Sequence, residues 1–372
     1  MTDSKDLDQV RSEIDTLDQQ LQELINRRAG LAQEVADIKM AEAQQARADG
    51  AESAEVVFYR PEREAQVLAR IMERNQGPLP AKNVAAIFRE IMSACLALER
   101  PMQVAYLGPE GTFTQAAAIK HFGHAVLDVS QDTIAGVFNQ VESGQCNYGV
   151  VPVENSTEGM VNHTLDNFMD SGLQICGEVE LRIHHHLLAA AHTSAADIVK
   201  IYTHQQTLAQ CRDWLEAHWP QVEKIAVSSN AMGARLAASE PGAAAIGGDM
   251  AATQYELQRL AENIEDNPDN TTRFLIIGSE EVLPSGNDKT SIIVASRNRP
   301  GALFALLEPF RQAGVSLTRL DTRPSRTEKW AYVFFIEFEG HLRDPNVAAI
   351  VAQLEEQSIL LKPLGSYPKA VI

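Results

Sequence analysis

From Leu7 onward the apolar positions Leu7, Val10, Ile14, Leu17, Leu21 and Leu24, then Leu31, Val35 and Ile38, recur at steps of three and four. That spacing predicts one long helix with a heptad seam over about thirty residues. Arg28 stands where the seam should read apolar between Leu24 and Leu31. Lys39 lies eleven residues further on, and at about 100° per residue it shares the face of Arg28. A second helix is predicted from RPEREAQVLARIMERN, with Pro61 in its first turn, Glu62 and Glu64 suited to the positive end of the helix dipole, and Arg63 near its entrance. A third, roughly Lys82 to Leu98, carries Val84, Ile87, Ile91, Cys95 and Leu98 at helical spacing, with Glu99 closing the stripe. One long helix and two short ones close poorly alone, whereas a helix-swapped dimer buries the seam.

After Pro101 the pattern changes. QVAYLG, VLDVS, YGVVPV, LQICGEVELRI, IVKIYTH, EKIAVSS, AAAIGG and RFLIIGS read as short strands, with helices such as QTLAQCRDWLEAHW and NAMGARLAASE between them. This alternation predicts α/β sheets with helices on both faces, and about 180 residues hold two lobes. Polar clusters fall at strand ends, where open α/β sheets place ligands: GPEGTFTQ with Thr112; VPVENSTEG with Glu154, Asn155 and Ser156; THQQTLAQC with Thr203, His204 and Gln206; and NTTRF with Thr271, Thr272 and Arg273. Thr112 and nearby backbone N–H groups could hold an anion, but taken alone the segment reads more readily as a turn with an N-cap threonine. The three histidines at 184–186 lie on a strand whose side chains alternate faces, so they do not converge on one metal. VLPSGNDKT is a linker by composition. Beyond it, TSIIVAS, GALFALLEPFRQAG, VSLTRLDTRPS, WAYVFFIEFEG, PNVAAIVAQLEEQ and ILLKPLGSYP run strand, helix, strand, strand, helix, strand. That βαββαβ order is the α+β ferredoxin-like arrangement. The expected organisation is therefore multidomain, with an all-α module over 1–100, a two-lobed α/β module over 102–279 and a ferredoxin-like module over 288–372.

Composition narrows the function. The chain has 372 residues, 45% of them apolar, and a net charge of −18, the wrong sign for a nucleic-acid partner. No run of eighteen apolar residues exists, and the N-terminus is polar and acidic, so neither a membrane span nor a signal peptide is expected. Four cysteines without a CxxC spacing suit reduced thiols, with no disulfide framework or structural zinc, as expected in the cytoplasm; no cofactor and no metal is expected. The charge is uneven: residues 1–101 hold 13 basic and 18 acidic side chains, 102–279 hold 8 and 21, and 280–372 hold 11 and 11. A lone cation at a heptad position sets register or pairs across a bundle. Arg11, Arg28, Lys39 and Arg63 together, with Glu64 and Glu99 among them, instead ask for an anionic ligand.

LDQVRSEIDTLDQQLQELINRRAGLAQEVADIK, then PERE and IFREIMSACLALE, resemble the all-helical chorismate mutase family. The resemblance implies an intertwined dimer, with Arg11 crossing to the partner's site while Arg28, Lys39, Arg63 and Glu64 line the home site. Bidentate arginines suit the dianion chorismate, holding it in the compact conformer that the pericyclic rearrangement needs. Lys39 and a second donor aim at the ether oxygen; that second position is Glu99, where some relatives carry glutamine, so Glu99 must be protonated to donate. Cys95 stands where better-known relatives show a serine. The four polar segments of the middle module resemble the prephenate dehydratase domain, a fold like the two-lobed periplasmic binding proteins. The resemblance assigns Thr272 and Arg273 to catalysis and substrate binding, with Thr112, Asn155, Ser156 and Gln206 in the cleft. There Thr272 acts as a hydrogen-bond donor to the leaving oxygen, backed by Glu154 or His204. The third module resembles the ACT regulatory domain, whose two effector segments match Asn298 to Leu303, with Gly301, Ala302 and Leu303, and Asp321, Thr322, Arg323 and Pro324. All three in this order resemble the bifunctional chorismate mutase–prephenate dehydratases. They imply chorismate and prephenate as substrates, feedback by L-phenylalanine, and a homodimer or higher homo-oligomer. The alternatives are a monofunctional prephenate dehydratase with a helical dimerisation domain, and a non-catalytic sensor.

Overall fold

The computed structural model describes residues 6–49, 57–296, 299–324 and 332–371. The chain divides into two compact units, one of residues 1–60, 71–102 and 122–126, the other of 61–70, 103–121 and 127–372.

Three helices open the chain: α1 (Leu7–Ala48), α2 (Pro61–Arg74) and α3 (Ala81–Glu99). Helix α1 runs 42 residues and continues nine beyond Lys39, so much of the Ala-rich stretch after Lys39 is helical. Only Ala36 of α1 is buried. The heptad seam from Leu7 to Ile38 is 38–62% exposed, so within a single chain it faces away from the small residues that pack α1 on α3. The seam is thus a face without a partner among the described residues.

The next segment builds two lobes. The first holds β1 (Gln103–Leu107), α4 (Phe113–Phe122), β2 (Leu127–Gln131), α5 (Ile134–Glu142), β3 (Tyr148–Asn155), β4 (Gly159–Met160), α6 (Asn162–Asp170) and β5 (Gln174–Arg182). The second holds β6 (His186–Ala190), β7 (Lys200–His204), α7 (Gln205–Gln210), α8 (Arg212–His218), β8 (Glu223–Val227), α9 (Asn230–Ser239), β9 (Ala243–Gly247), α10 (Asp249–Gln254) and β10 (Leu257–Ala261). Strand β11 (Thr271–Gly278) then returns to the first lobe and enters its sheet antiparallel, giving the order β2-β1-β3-β11-β5. The second sheet runs β10-β6-β9-β7-β8. The parallel pairs β1/β3 and β7/β9 are buried on both faces, which explains their continuous apolar runs.

The ferredoxin-like module contains β12 (Asp288–Ala295), α11 (Ala302–Ala313), β13 (Leu317–Pro324), β14 (Tyr332–Glu339), α12 (Pro345–Gln357) and β15 (Leu360–Pro368), with sheet order β13-β14-β12-β15. The predicted linker is a tight turn: Asp288 accepts from the Ser285 and Gly286 amides at 2.9 and 3.1 Å. One face of this sheet packs on the first lobe, where Ile293, Val333, Phe335 and Leu364 share a core with Val153, Phe168, Ile175 and Leu275.

Candidate functional site

In the helical unit, Lys39 is partly buried and its Nζ donates to the carbonyls of Val57 and Phe58 at 3.0 and 3.3 Å. Lys39 and Arg28 both act on Glu99, the last residue of α3. Burial raises the Glu99 carboxyl above its ordinary pKa, and it does so against the pull of these two cations. Cys95, one turn earlier, is buried. Arg11 is exposed and 3.6 Å from Asp8 in its own helix, so it does not join Arg28 and Lys39 within one chain. Arg63 and Glu64 belong to the first turn of α2, in the stretch 61–70.

Between the two α/β lobes lies a cleft of about 730 Å³, lined among others by Thr112, Asn155, His185, His204, Gln206, Asn230, Asn270 and Thr272. The topology explains why. β3 and β11 end at it side by side, with Thr272 in register with Asn155, and helices α4, α6 and α9 begin at its wall. None of the described lining residues is Lys or Arg. First-turn amides have no intrahelical acceptor, so these helix starts provide neutral donors with a positive bias.

The central pair is Asn155 and Thr272. The Asn155 Oδ1 accepts the backbone N–H groups of Thr157 and Glu158 at 3.0 and 3.2 Å. Backbone amides only donate, so that atom is the oxygen and the amide nitrogen faces the cleft pair. Nδ2 donates to Asn270 Oδ1 at 2.9 Å and to Thr272 Oγ1 at 2.8 Å. Thr272 is therefore an acceptor towards Asn155, which leaves its own hydroxyl proton for the cleft. His204 caps α7, its Nδ1 accepting from Gln206 N at 3.4 Å. The Thr112 hydroxyl donates to Leu107 O at 3.1 Å and accepts from Gln115 N at 3.4 Å, so it works as the helix cap.

Four expectations need correction. Arg273 follows Thr272 on a strand and therefore points to the opposite face. It is buried against Glu178 and Glu337, with Nε 3.1 Å from Glu178 Oε2, off the hydrogen-bonding axis, and it does not line the cleft. Ser156 does not line the cleft either, because its Oγ accepts from Thr271 N at 3.0 Å. Glu154 turns away from Thr272 and pairs with Arg319 of β13. Contrary to expectation, the three histidines do not share a strand: His184 and His185 lie between β5 and β6, and only His186 opens β6; His184 meets Glu265 at 2.7 Å, His185 meets Gln210 at 2.9 Å, and His186 lies 3.2 Å from Asp249. Asn270 and Asn230 were missed, although Asn270 immediately precedes β11 and Asn230 opens α9, a helix the sequence pattern predicts. Asn230 Oδ1 gathers Thr203 Oγ1, His204 N and Thr207 Oγ1 at 2.8–3.0 Å.

In the third module Gly301 has φ +80° and caps α11, while Ala302 and Leu303 form its first turn. Alternation splits the second segment: Thr322 is exposed, but Asp321 lies 3.8 Å from Arg319, and Arg323 pairs with Asp166 of α6 at 2.7 Å. Asn298 and the Pro324 side chain lie outside the described residues.

A helical unit presenting Arg28, Lys39 and Glu99, a two-lobed α/β body with a cleft of neutral donors, and an appended ferredoxin-like sheet define a multidomain enzyme acting on small anions. The chain matches the family chorismate mutase type II over residues 10–100, prephenate dehydratase over 104–282 and the ACT domain over 290–356. It is 57% identical over 372 residues to the bifunctional chorismate mutase/prephenate dehydratase of Pseudomonas aeruginosa, covering 100% of both chains. It is 41% identical to that of Aquifex aeolicus, covering 99% of both. Among solved structures, prephenate dehydratase from Arthrobacter aurescens, in complex with L-Phe, aligns with TM-score 0.67 at 34% identity, covering 72% of this chain and 90% of that one. The Staphylococcus aureus prephenate dehydratase aligns with TM-score 0.63 at 27% identity, covering 72% and 100%. The chain belongs to the bifunctional chorismate mutase/prephenate dehydratase family and carries both activities.

Proposed function

We propose that the two reactions occupy separate sites: the helical unit rearranges chorismate around Arg28, Lys39 and Glu99, and the interlobe cleft takes prephenate. The observation that carries the second assignment is the Asn155–Thr272 pair, which aims a hydroxyl proton into a cleft of substrate size. There the departing carboxylate leaves as CO2, its electron pair aromatises the ring, and the ring hydroxyl leaves as hydroxide, which takes one proton from solvent to become water. Thr272 is too weak an acid for full proton transfer, so it serves as a hydrogen-bond donor to the oxygen on which charge develops. In the helical site Arg28 and a partner's Arg11 fix the two carboxylates of chorismate. Lys39 and a protonated Glu99 then face the ether oxygen, a role supported by the raised pKa of Glu99.

The exposed seam of α1 supports a homodimer in which a second copy covers it. L-Phenylalanine at the ACT module, around Gly301 to Leu303 and Thr322, provides feedback. Four free, buried cysteines support a cytoplasmic setting. Assaying both steps on wild type, Arg28→Ala and Thr272→Ala tests the assignment. The first substitution is expected to abolish only the mutase and the second only the dehydratase. Loss of both activities from one soluble, folded variant would contradict separate sites.

A further inference from the structure

Behind the cleft, four of the charges between the first lobe and the ACT sheet form a square. On the lobe side, Arg273 of β11 and Glu154 of β3 are cross-strand partners, and each is the immediate neighbour of a cleft residue, Thr272 and Asn155. On the ACT side, Glu337 of β14 and Arg319 of β13 are also cross-strand partners. Across the interface Arg273 pairs with Glu337 and Glu154 pairs with Arg319, so signs alternate around the square. Both ladders are irregular at this point, with register shifts next to Arg273 in β11 and before Arg319 in β13. Such bulges re-aim side chains. The surroundings hold the square rigidly. Glu337 also accepts from Thr318 Oγ1 at 2.6 Å and Tyr367 O–H at 2.9 Å, and Lys289 lies 2.9 Å from Glu178, the second anion beside Arg273.

We propose that Glu154 and Arg319 are positioning residues for the dehydratase. With Arg273 and Glu337 they clamp the two strands that present Asn155 and Thr272, so that the ACT sheet forms the back wall of the catalytic pair. The clamp rests on the assignment of the cleft to prephenate. It also gives strand β13, which carries Thr322 three residues after Arg319, a direct mechanical route to that pair.

Arg273 is too deeply buried for a clean test, whereas the Glu154 and Arg319 side chains are 27% and 22% exposed. Steady-state kinetics with prephenate are therefore compared for wild type, Glu154→Gln, Arg319→Gln and the double variant, with the thermal unfolding midpoint of each chain reporting folding. Each single substitution is expected to lower kcat about tenfold, short of the roughly 10²-fold that a 1 Å misplacement costs. KM should stay within about threefold. The double variant should be no slower than the slower single one, because both act through one contact. Unchanged kcat in the singles, or losses that multiply in the double, would overturn the clamp. A wild type inactive on prephenate would instead overturn the cleft assignment.

Discussion

Asn155→Asp tests the orientation of the catalytic hydroxyl with almost no change of shape. The carboxylate keeps an oxygen under the Thr157 and Glu158 amides, so the turn after β3 retains its two anchors. The second oxygen replaces Nδ2, 2.8 Å from Thr272 Oγ1. A carboxylate only accepts, and the single proton of Thr272 then turns from the cleft to the new carboxylate. The leaving oxygen loses its donor, and removal of one donor to developing charge costs about 10²–10³ in kcat, roughly 3–4 kcal/mol. The fold should lose only about 1 kcal/mol, for the strained contact with Asn270 Oδ1. The measurement is dehydratase kcat at saturating prephenate, since the added charge also raises KM. Mutase activity on the same chain should be unchanged. Thr272→Ser, which keeps the hydroxyl, should stay within about tenfold of wild type. An Asn155→Asp enzyme within threefold of wild-type kcat would refute the donor geometry.

Two further outcomes follow from the other modules. If protonated Glu99 donates to the ether oxygen, mutase kcat falls as pH rises through its raised pKa, and Glu99→Gln flattens the profile; a pH dependence that survives in Glu99→Gln would exclude that role. Gly365 of β15 sits at φ +132°, and a Cβ there would lie 2.5 Å from the Ile175 carbonyl oxygen of β5, a backbone atom that cannot yield. Gly365→Ala should therefore destabilise the chain by about 2–6 kcal/mol, from strain and overpacking together, read as a lower thermal midpoint.

What was legible in the sequence was whatever repeats locally. The 3.6-residue period of the first module, the strand–helix alternation of the second and the βαββαβ order of the third each announce themselves within a window of about fifteen residues. The cleft segments were legible because ligands gather at strand ends, and Thr112, Asn155, Gln206 and Thr272 do line one cavity. Arg273 was misread although alternation separates it from Thr272. Its destination depends on β11 returning from the second lobe and on a sheet over 60 residues later covering the back face. The same long-range packing turned Asp321 and Arg323 inward while leaving Thr322 outside. The seam of α1 was legible as apolar, but a single chain does not bury it.

The charge distribution bears on mechanism more than on solubility. The middle module holds eight basic residues, and the structure engages four of them in ion pairs elsewhere: Arg182 with Asp269, Lys200 with Glu240, Arg259 with Asp249, and Arg273 with Glu178 and Glu337. What lines the cleft is a set of amides, hydroxyls and helix starts, with the carboxylates of Asp132 and Glu158, three histidines (His163, His185 and His204) and no lysine or arginine among the described lining residues. For a reaction in which one carboxylate must give up its charge as CO2, this is the useful arrangement. A lysine or arginine on that carboxylate would stabilise the ground state more than the transition state and raise the barrier by the difference. On the proposed assignment of the cleft to prephenate, neutral donors would hold the substrate with directional bonds that weaken as its charge disperses, while the Thr272 hydroxyl would strengthen its bond to the departing oxygen. A cleft with no lysine or arginine among its described lining residues is thus suited to the proposed dianion, which has to lose a carboxylate.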